Sequence, residues 1–208
     1  MYQHPNSKPL KIGPIKTSKT ELIDIAKGWT ALSFAFALIY SGIYLLGGKL
    51  FINILSINFL SIFIVSLLTA GLGFVLHELA HKFVAQHYGC LAEFRAFDQM
   101  LYLAVGLAAV IGWIFAAPGA VMISGTVTRK ENGIISLAGP ATNFVLAGIF
   151  FVIAQSFPLF RIGYFINAWL GLFNLIPFGN FDGKKILAWS KAWWSGAVVV
   201  GLLLLFVF

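Results

Sequence analysis

His77 and His81 stand four residues apart, with Glu78 beside the first, in the run His77-Glu78-Leu79-Ala80-His81. On a helix, residues at that spacing share a face, so both imidazoles can reach one ion. Neutral imidazole nitrogens hold zinc at about 2.0–2.1 Å. Glu78 would lie about 100° around the helix, beside the ion rather than on it. There a carboxylate can take a proton from water, so the chemistry implied is metal-assisted hydrolysis.

The setting of these residues is apolar. No charge falls between Lys49 and Glu78. Ionisable groups at membrane depth are costly and point to function. A chance match, with two core histidines on a buried helix, is the plain alternative. It would leave two imidazoles and a carboxylate in an uncharged span, a heavy cost unless they are paired or metallated.

A catalytic zinc site usually has three protein ligands and one open position. Four histidines and seven acidic residues are available. His4 belongs to the N-terminal tail, and His87 lies near the helix end on another face, as an interfacial polar residue. Glu21 and Asp24 read as tail residues, and Glu93, Asp98 and Glu131 fall in polar connections. Asp182 remains, in Asn174-Leu175-Ile176-Pro177-Phe178-Gly179-Asn180-Phe181-Asp182-Gly183. Asp182 can equally cap the Lys-rich helix that follows. Capping and ligation are compatible through different oxygens.

The elements that must position these residues are membrane elements. The chain has 208 residues, of which 60% are hydrophobic and 10% charged. Its mean hydropathy is +0.91. A soluble domain carries about 25% charged residues. The net charge of +7 lies in short basic segments beside apolar runs, the membrane pattern rather than a nucleic-acid one. A single cysteine, Cys90, excludes an intrachain disulfide and a thiolate zinc cluster. No cleavable signal peptide is evident, and no internal repeat is visible.

Four segments follow. Residues 1–27 are a polar, basic tail, read as cytoplasmic. Residues 28–59 hold a first span over 28–47, closed by Gly47-Gly48, and a short connection. Residues 60–192 are the catalytic membrane core. Residues 193–208 are a last apolar segment. Within the core a helix is expected from about Leu60 to Tyr88, ended by Gly89. Apolar residues 99–117 and an extended Ala120–Val127 come next, and then a polar turn at Arg129–Gly133. Spans are expected at Ile134–Phe157 and Phe160–Leu175, and a short helix over Gly183–Ala192.

Whether residues 99–117 cross the membrane or turn back is decided by charge and depth. If they turn back, the tail lysines, Arg95, Arg129, Lys130, Lys184, Lys185 and Lys191 share the inner face, as the positive-inside rule asks. His77 and His81 also lie about 10–17 Å from the inner end of their helix. Asp182 reaches that depth from the same leaflet only if an even number of crossings intervenes. Both considerations favour a re-entrant element.

Three segments together resemble the site-2 proteases, a family of intramembrane zinc metalloproteases. His77-Glu78-Leu79-Ala80-His81 is similar to the family's metal-binding helix. Ala138-Gly139-Pro140-Ala141-Thr142-Asn143 resembles its small-residue motif at the start of a later helix. Asn174-Leu175-Ile176-Pro177 with Asp182-Gly183 resembles its third-ligand loop. The resemblance covers roughly residues 60–192. It implies that His77, His81 and Asp182 bind one zinc ion and that Glu78 is the general base. It further implies that Asn143 and Asn174 place substrate backbone or stabilise the oxyanion. From the residues alone, Asn143 and Asn174 serve equally well as helix–helix hydrogen-bonding groups. The chain departs from the family pattern with Phe181 before Asp182 and a longer apolar insert at 99–117.

The expected fold is an all-α polytopic membrane protein. It would have about five to six transmembrane helices, with a re-entrant helix and a short β element near the site. The expected activity is zinc metalloendopeptidase action on transmembrane segments of membrane-protein substrates, in the cell membrane, toward the cytoplasmic side. A peptide could add as a strand along Pro118–Ile123, exposing its scissile amide. The expected partners are those segments and the lipid bilayer, with no nucleic acid. The other readings are a divalent-metal transporter and a non-catalytic membrane zinc protein.

Overall fold

The computed structural model describes residues 10–12, 15–46, 54–114 and 118–206. The start of the tail, the Gly47-Gly48 closure and the first half of the following connection lie outside the described residues. The fold is mostly helical with two small sheets. Leu10–Ile12 (β1) and Ile15–Thr17 (β2) pair antiparallel, as do Leu91–Ala96 (β3) and Gly119–Ser124 (β4). The helices are α1 (Lys19–Ser41), α2 (Ile57–Ser66), α3 (Leu72–His87), α4 (Asp98–Ile111), α5 (Arg129–Ala154), α6 (Arg161–Asn174), α7 (Asp182–Trp189) and α8 (Lys191–Phe206). A π turn, Leu67–Gly71, joins α2 to α3.

Three helical stretches among the described residues are long and apolar enough to cross a membrane: Lys19–Ser41, Ile57–His87 and Arg129–Ala154. A hydrocarbon core of about 30 Å needs about 20 residues of helix. Helix α4 and helix α8 are shorter apolar helices.

Two helix starts differ from the sequence expectation. α1 begins at Lys19, not at residue 28, because the Ser18 side chain accepts from the Glu21 N–H and caps it. Glu21 and Asp24, read as tail residues, are therefore buried helix residues. α5 begins at Arg129, inside the expected polar turn. Thr128 and Glu131 form a reciprocal capping box there, which satisfies two otherwise orphaned N–H groups. Gly139 and Pro140 consequently lie in the interior of α5, and Asn143 sits fourteen residues into it rather than one turn from its start.

The segment after β3 leaves the sheet and returns to it. Phe97 N donates to Pro118 O at 3.0 Å, and Ala96 opposes Gly119. Between them α4 lies along α1. It is tied near one end by Lys27 Nζ to Asp98 Oδ1 at 3.1 Å, and at the other by Leu45 and Leu46 N–H groups on the Ala109 and Val110 carbonyls. At 14 residues α4 is about 21 Å long. Its excursion thus starts and finishes at the same strand pair.

Apolar packing fixes α3 among these elements. Leu32 of α1, Phe74 of α3 and Phe94 of β3 form one buried cluster. Ala85, Cys90, Ala92 and Ile135 form another between α3, β3 and α5. Leu146, Ala147, Phe150, Tyr164 and Ala168 hold α5 to α6. Gly89, at φ +80, ends α3 and turns the chain into β3, the left-handed position that glycine occupies without strain. α3 is thereby held between a two-stranded sheet on one side and α5 on the other.

Candidate metal centre

His77 and His81 project from α3 toward α5 and the start of α7, and both are buried. Their Nε2 atoms lie 3.0 Å apart. Asp182 Oδ2 lies 3.4 Å from His77 Nε2 and 3.1 Å from His81 Nε2. Two atoms bound tetrahedrally to one zinc at about 2.0–2.1 Å are about 3.3–3.4 Å apart. The triangle formed by His77, His81 and Asp182 therefore has the dimensions of one face of a zinc tetrahedron.

The tautomers follow from the hydrogen bonds. His81 Nδ1 lies 2.7 Å from Ile135 O, and a carbonyl only accepts, so Nδ1 carries the proton. Asn143 Nδ2 donates to Gly73 O at 3.2 Å and to Asn167 Oδ1 at 3.0 Å, so the Asn143 carbonyl oxygen is the atom 2.5 Å from His77 Nδ1. His77 Nδ1 is then a donor too. With both rings neutral, the form that binds metal, the two Nε2 lone pairs face each other and a carboxylate. That arrangement repels itself unless a cation sits among the three. Orientation of a ligating imidazole through its other nitrogen is general in metal sites.

Asp182 opens α7, but it is not the helix cap. The N-cap residue is Phe181, and no side chain caps this end. The Asp182 carboxylate points to the two imidazoles and, through Oδ1, to Lys185 Nζ at 3.8 Å. Gly183 lets this end of α7 come against the end of α6, since a Cβ there would lie 2.0 Å from Leu175 O.

Gly139 performs the same service on α5. A Cβ at Gly139 would lie 2.4 Å from His81 Nε2 and 2.6 Å from His77 Nε2. Pro140 adds a break in the α5 ladder, because it has no N–H to offer the Ser136 carbonyl. The neighbouring Ile135 carbonyl is the one that receives His81. The small-residue motif thus acts in the middle of a helix, where backbone must approach the imidazoles.

Glu78 faces the other way, toward the sheet. Its Oε2 accepts from Val121 N–H of β4 at 3.0 Å. Its second oxygen carries no hydrogen bond among the described residues. His77, Glu78, His81, Asn143, Asn174 and Asp182 all line one cavity of about 840 Å³. Phe36 and Tyr40 of α1, Trp113 after α4 and Trp169 of α6 form its apolar walls. Asn174 Nδ2 donates to Leu170 O on its own helix at 2.9 Å. Asn143 is completely buried, with both ends of its amide engaged as described.

Three further polar groups, Asn167, Lys82 and Gln86, lie outside the sequence motifs. Asn167, fully buried, accepts from Asn143 and donates to Gly163 O at 2.9 Å. Lys82 and Gln86 continue the Glu78 stripe along α3. Their signal is spacing, since Glu78, Lys82 and Gln86 recur at i, i+4 and i+8 on α3 and so share a face.

The chain is 38% identical over 201 residues to a protein of Methanocaldococcus jannaschii named as a zinc metalloprotease, a match covering 92% of this chain and 96% of that one. The chain belongs to the site-2 protease-like family of zinc metalloproteases. A second zinc metalloprotease of that organism is 32% identical over 121 residues, 54% of this chain and 30% of its own length. A Mycolicibacterium smegmatis protein, also named as a zinc metalloprotease, is 28% identical over 182 residues, 72% of this chain and 70% of its own length. No family model and no solved structure matches the chain. As a zinc metalloprotease of this family it uses Zn2+, and the His77, His81 and Asp182 cluster has the donor atoms and spacing for that ion.

Proposed function

We propose that this metalloprotease cuts peptide bonds within or near transmembrane segments of other membrane proteins, with His77, His81 and Asp182 as zinc ligands and Glu78 as general base. The observation that carries the reading is the position of the cluster. The ligand atoms lie within 4.8 Å of one another, among helices of membrane-crossing length, and open onto a largely apolar-walled cavity.

Bound at this cluster, zinc supplies Lewis acidity and makes water a nucleophile near neutral pH. Glu78, through the oxygen that Val121 does not hold, would accept a proton from water and pass it to the leaving amine. Asn143 orients His77 by accepting from its Nδ1, and this role replaces the expected one at the oxyanion, since its amide donors go to Gly73 and Asn167. Asn174, whose side chain lines the cavity, remains the group for contacting substrate backbone or the oxyanion.

A helical substrate hides its backbone and must be extended before cutting. β4 offers an edge for that. In an antiparallel pair alternate residues turn their backbone groups outward. Val121 N–H is one of these on β4, which places Gly119 and Ile123 in the same outward set. Both line the cavity. A peptide pairing there would lie alongside Glu78.

In membrane terms, α1, the Ile57–His87 stretch and α5 are the full-length crossings, and the shorter α6 and α8, of 14 and 16 residues, are taken as the fourth and fifth. α4 enters and returns, and the chain's N-terminus is cytoplasmic. The rival reading is a metal transporter. Purified protein in liposomes, given a labelled transmembrane peptide on one side and a zinc-sensing dye inside, separates them. Cleavage of the peptide without zinc flux is expected. Zinc flux with the peptide left intact would sink the proposal.

A further inference from the structure

Lys82 follows the second zinc-ligand histidine, yet it faces away from the metal cluster. Its side chain is almost wholly buried, and Nζ lies 2.6 Å from Glu21 Oε2, itself completely buried. The same Glu21 oxygen accepts from Thr17 Oγ1 at 2.7 Å, and the other, Oε1, accepts from Phe94 N–H of β3 at 2.9 Å. Phe94 is the register partner of Val121, whose own N–H is held by Glu78. One rung of the β3–β4 strand pair is therefore gripped at both edges, by Glu21 outside β3 and by Glu78 outside β4. Gln86, four residues on, donates to Ala92 O of β3 at 3.0 Å and exchanges two hydrogen bonds with the Lys16 backbone of β2.

A buried ion pair is a poor device for stability alone. Desolvating both charges costs about as much as their attraction returns, and apolar residues of the same volume often do as well or better. An apolar pair at 21 and 82 would, however, leave Phe94 N–H without an acceptor. What the pair supplies is a carboxylate of α1, fixed by Lys82 at a set height beside α3.

We propose that the Lys82–Glu21 pair is a positioning device that seats the β3–β4 strand pair on the metal helix and so sets Val121 N–H, and the β4 edge, relative to Glu78. This rests on the reading of Glu78 as general base. Lys82 and Glu21 touch neither substrate nor metal, and they act through Phe94 and the strand pair.

The test uses the full chain and three variants. Lys82→Met leaves a buried, unpaired carboxylate. Adding Glu21→Gln removes that charge but keeps a carbonyl oxygen for Phe94. Adding Glu21→Leu instead removes the charge and the acceptor together. Four quantities are read: zinc content, melting temperature, cleavage of a labelled transmembrane peptide, and amide hydrogen exchange in residues 118–124. Glu21→Gln/Lys82→Met should cleave within about threefold of wild type, whereas Glu21→Leu/Lys82→Met should keep zinc and melting temperature but lose about tenfold or more in kcat. Exchange in 118–124 should rise about tenfold in the second double variant only. Wild-type cleavage and exchange in Glu21→Leu/Lys82→Met would overturn the proposal. So would loss of fold or zinc in that variant, since the pair would then be structural. Failure of the general-base reading is distinguishable, because wild type and Glu78→Gln would then cleave alike while the exchange result still stands.

Discussion

The His77 imidazole donates from Nδ1 to the Asn143 carbonyl oxygen at 2.5 Å, and this one bond decides which of its nitrogens faces Asp182. Asn143 is itself oriented by Gly73 and Asn167, so the tautomer is enforced by a buried chain of amides. Asn143→Ala removes the acceptor and leaves a buried Nδ1–H unpaired. Zinc affinity, read by chelator competition, should fall about 10–100-fold while helix content is retained. Unchanged affinity would mean that His77 is oriented by something else.

Gly139→Ala tests the close approach of α5. Helix propensity alone favours alanine by up to about 1 kcal/mol, so a glycine here works against local stability. The added methyl would lie 2.4 Å from His81 Nε2. The variant should lose zinc at a chelator concentration that wild type withstands. Gly148→Ala is the matched control on the same helix, where an added Cβ meets nothing within 4 Å. It should keep zinc and melt no lower than wild type.

Asp182→Asn removes the charge that faces two bare imidazole lone pairs. Zinc affinity should drop by at least about a hundredfold, more than a change in a group that merely orients a ligand. Metal content after dialysis against a weak chelator measures it. Full retention of zinc would remove Asp182 from the ligand set.

Thr128→Ala tests the capping box that starts α5 earlier than expected. The substitution should lower stability by about 1 kcal/mol, visible as a lower melting temperature with zinc stoichiometry unchanged. No change in melting would mean that this helix end frays in solution.

How far the sequence could be read follows from the range of each interaction. Spacing along one helix is local, so His77, Glu78 and His81 were readable as a unit. Asp182 emerged from elimination and depth, because few acids were available and most lay in polar segments. Phe97 and Pro118, at the two ends of the apolar insert, meet at one strand pair, a long-range contact that no local pattern announces. The start of α1 was misplaced because Glu21 and Asp24 read as solvent-facing, and nothing local announces that Lys82 will bury Glu21. The start of α5 was misplaced because Arg129–Gly133 looks like a turn, although Thr128 and Glu131 already carried the capping-box spacing. Asn143 was seen, but its role depends on Gly73 and Asn167, which are seventy and twenty-four residues away. Long-range side-chain pairing of that kind leaves no periodic trace.

The most direct test of the account is Glu78→Gln in the full chain, with zinc content and cleavage of a membrane-embedded peptide measured on the same preparation. Glu78 lies beside the ligand cluster, and glutamine keeps its shape and its bond to Val121 while losing the proton-accepting oxygen. The account predicts zinc at the wild-type level and cleavage reduced by at least about 10²–10⁴-fold. Cleavage at the wild-type rate by the zinc-loaded variant would contradict it.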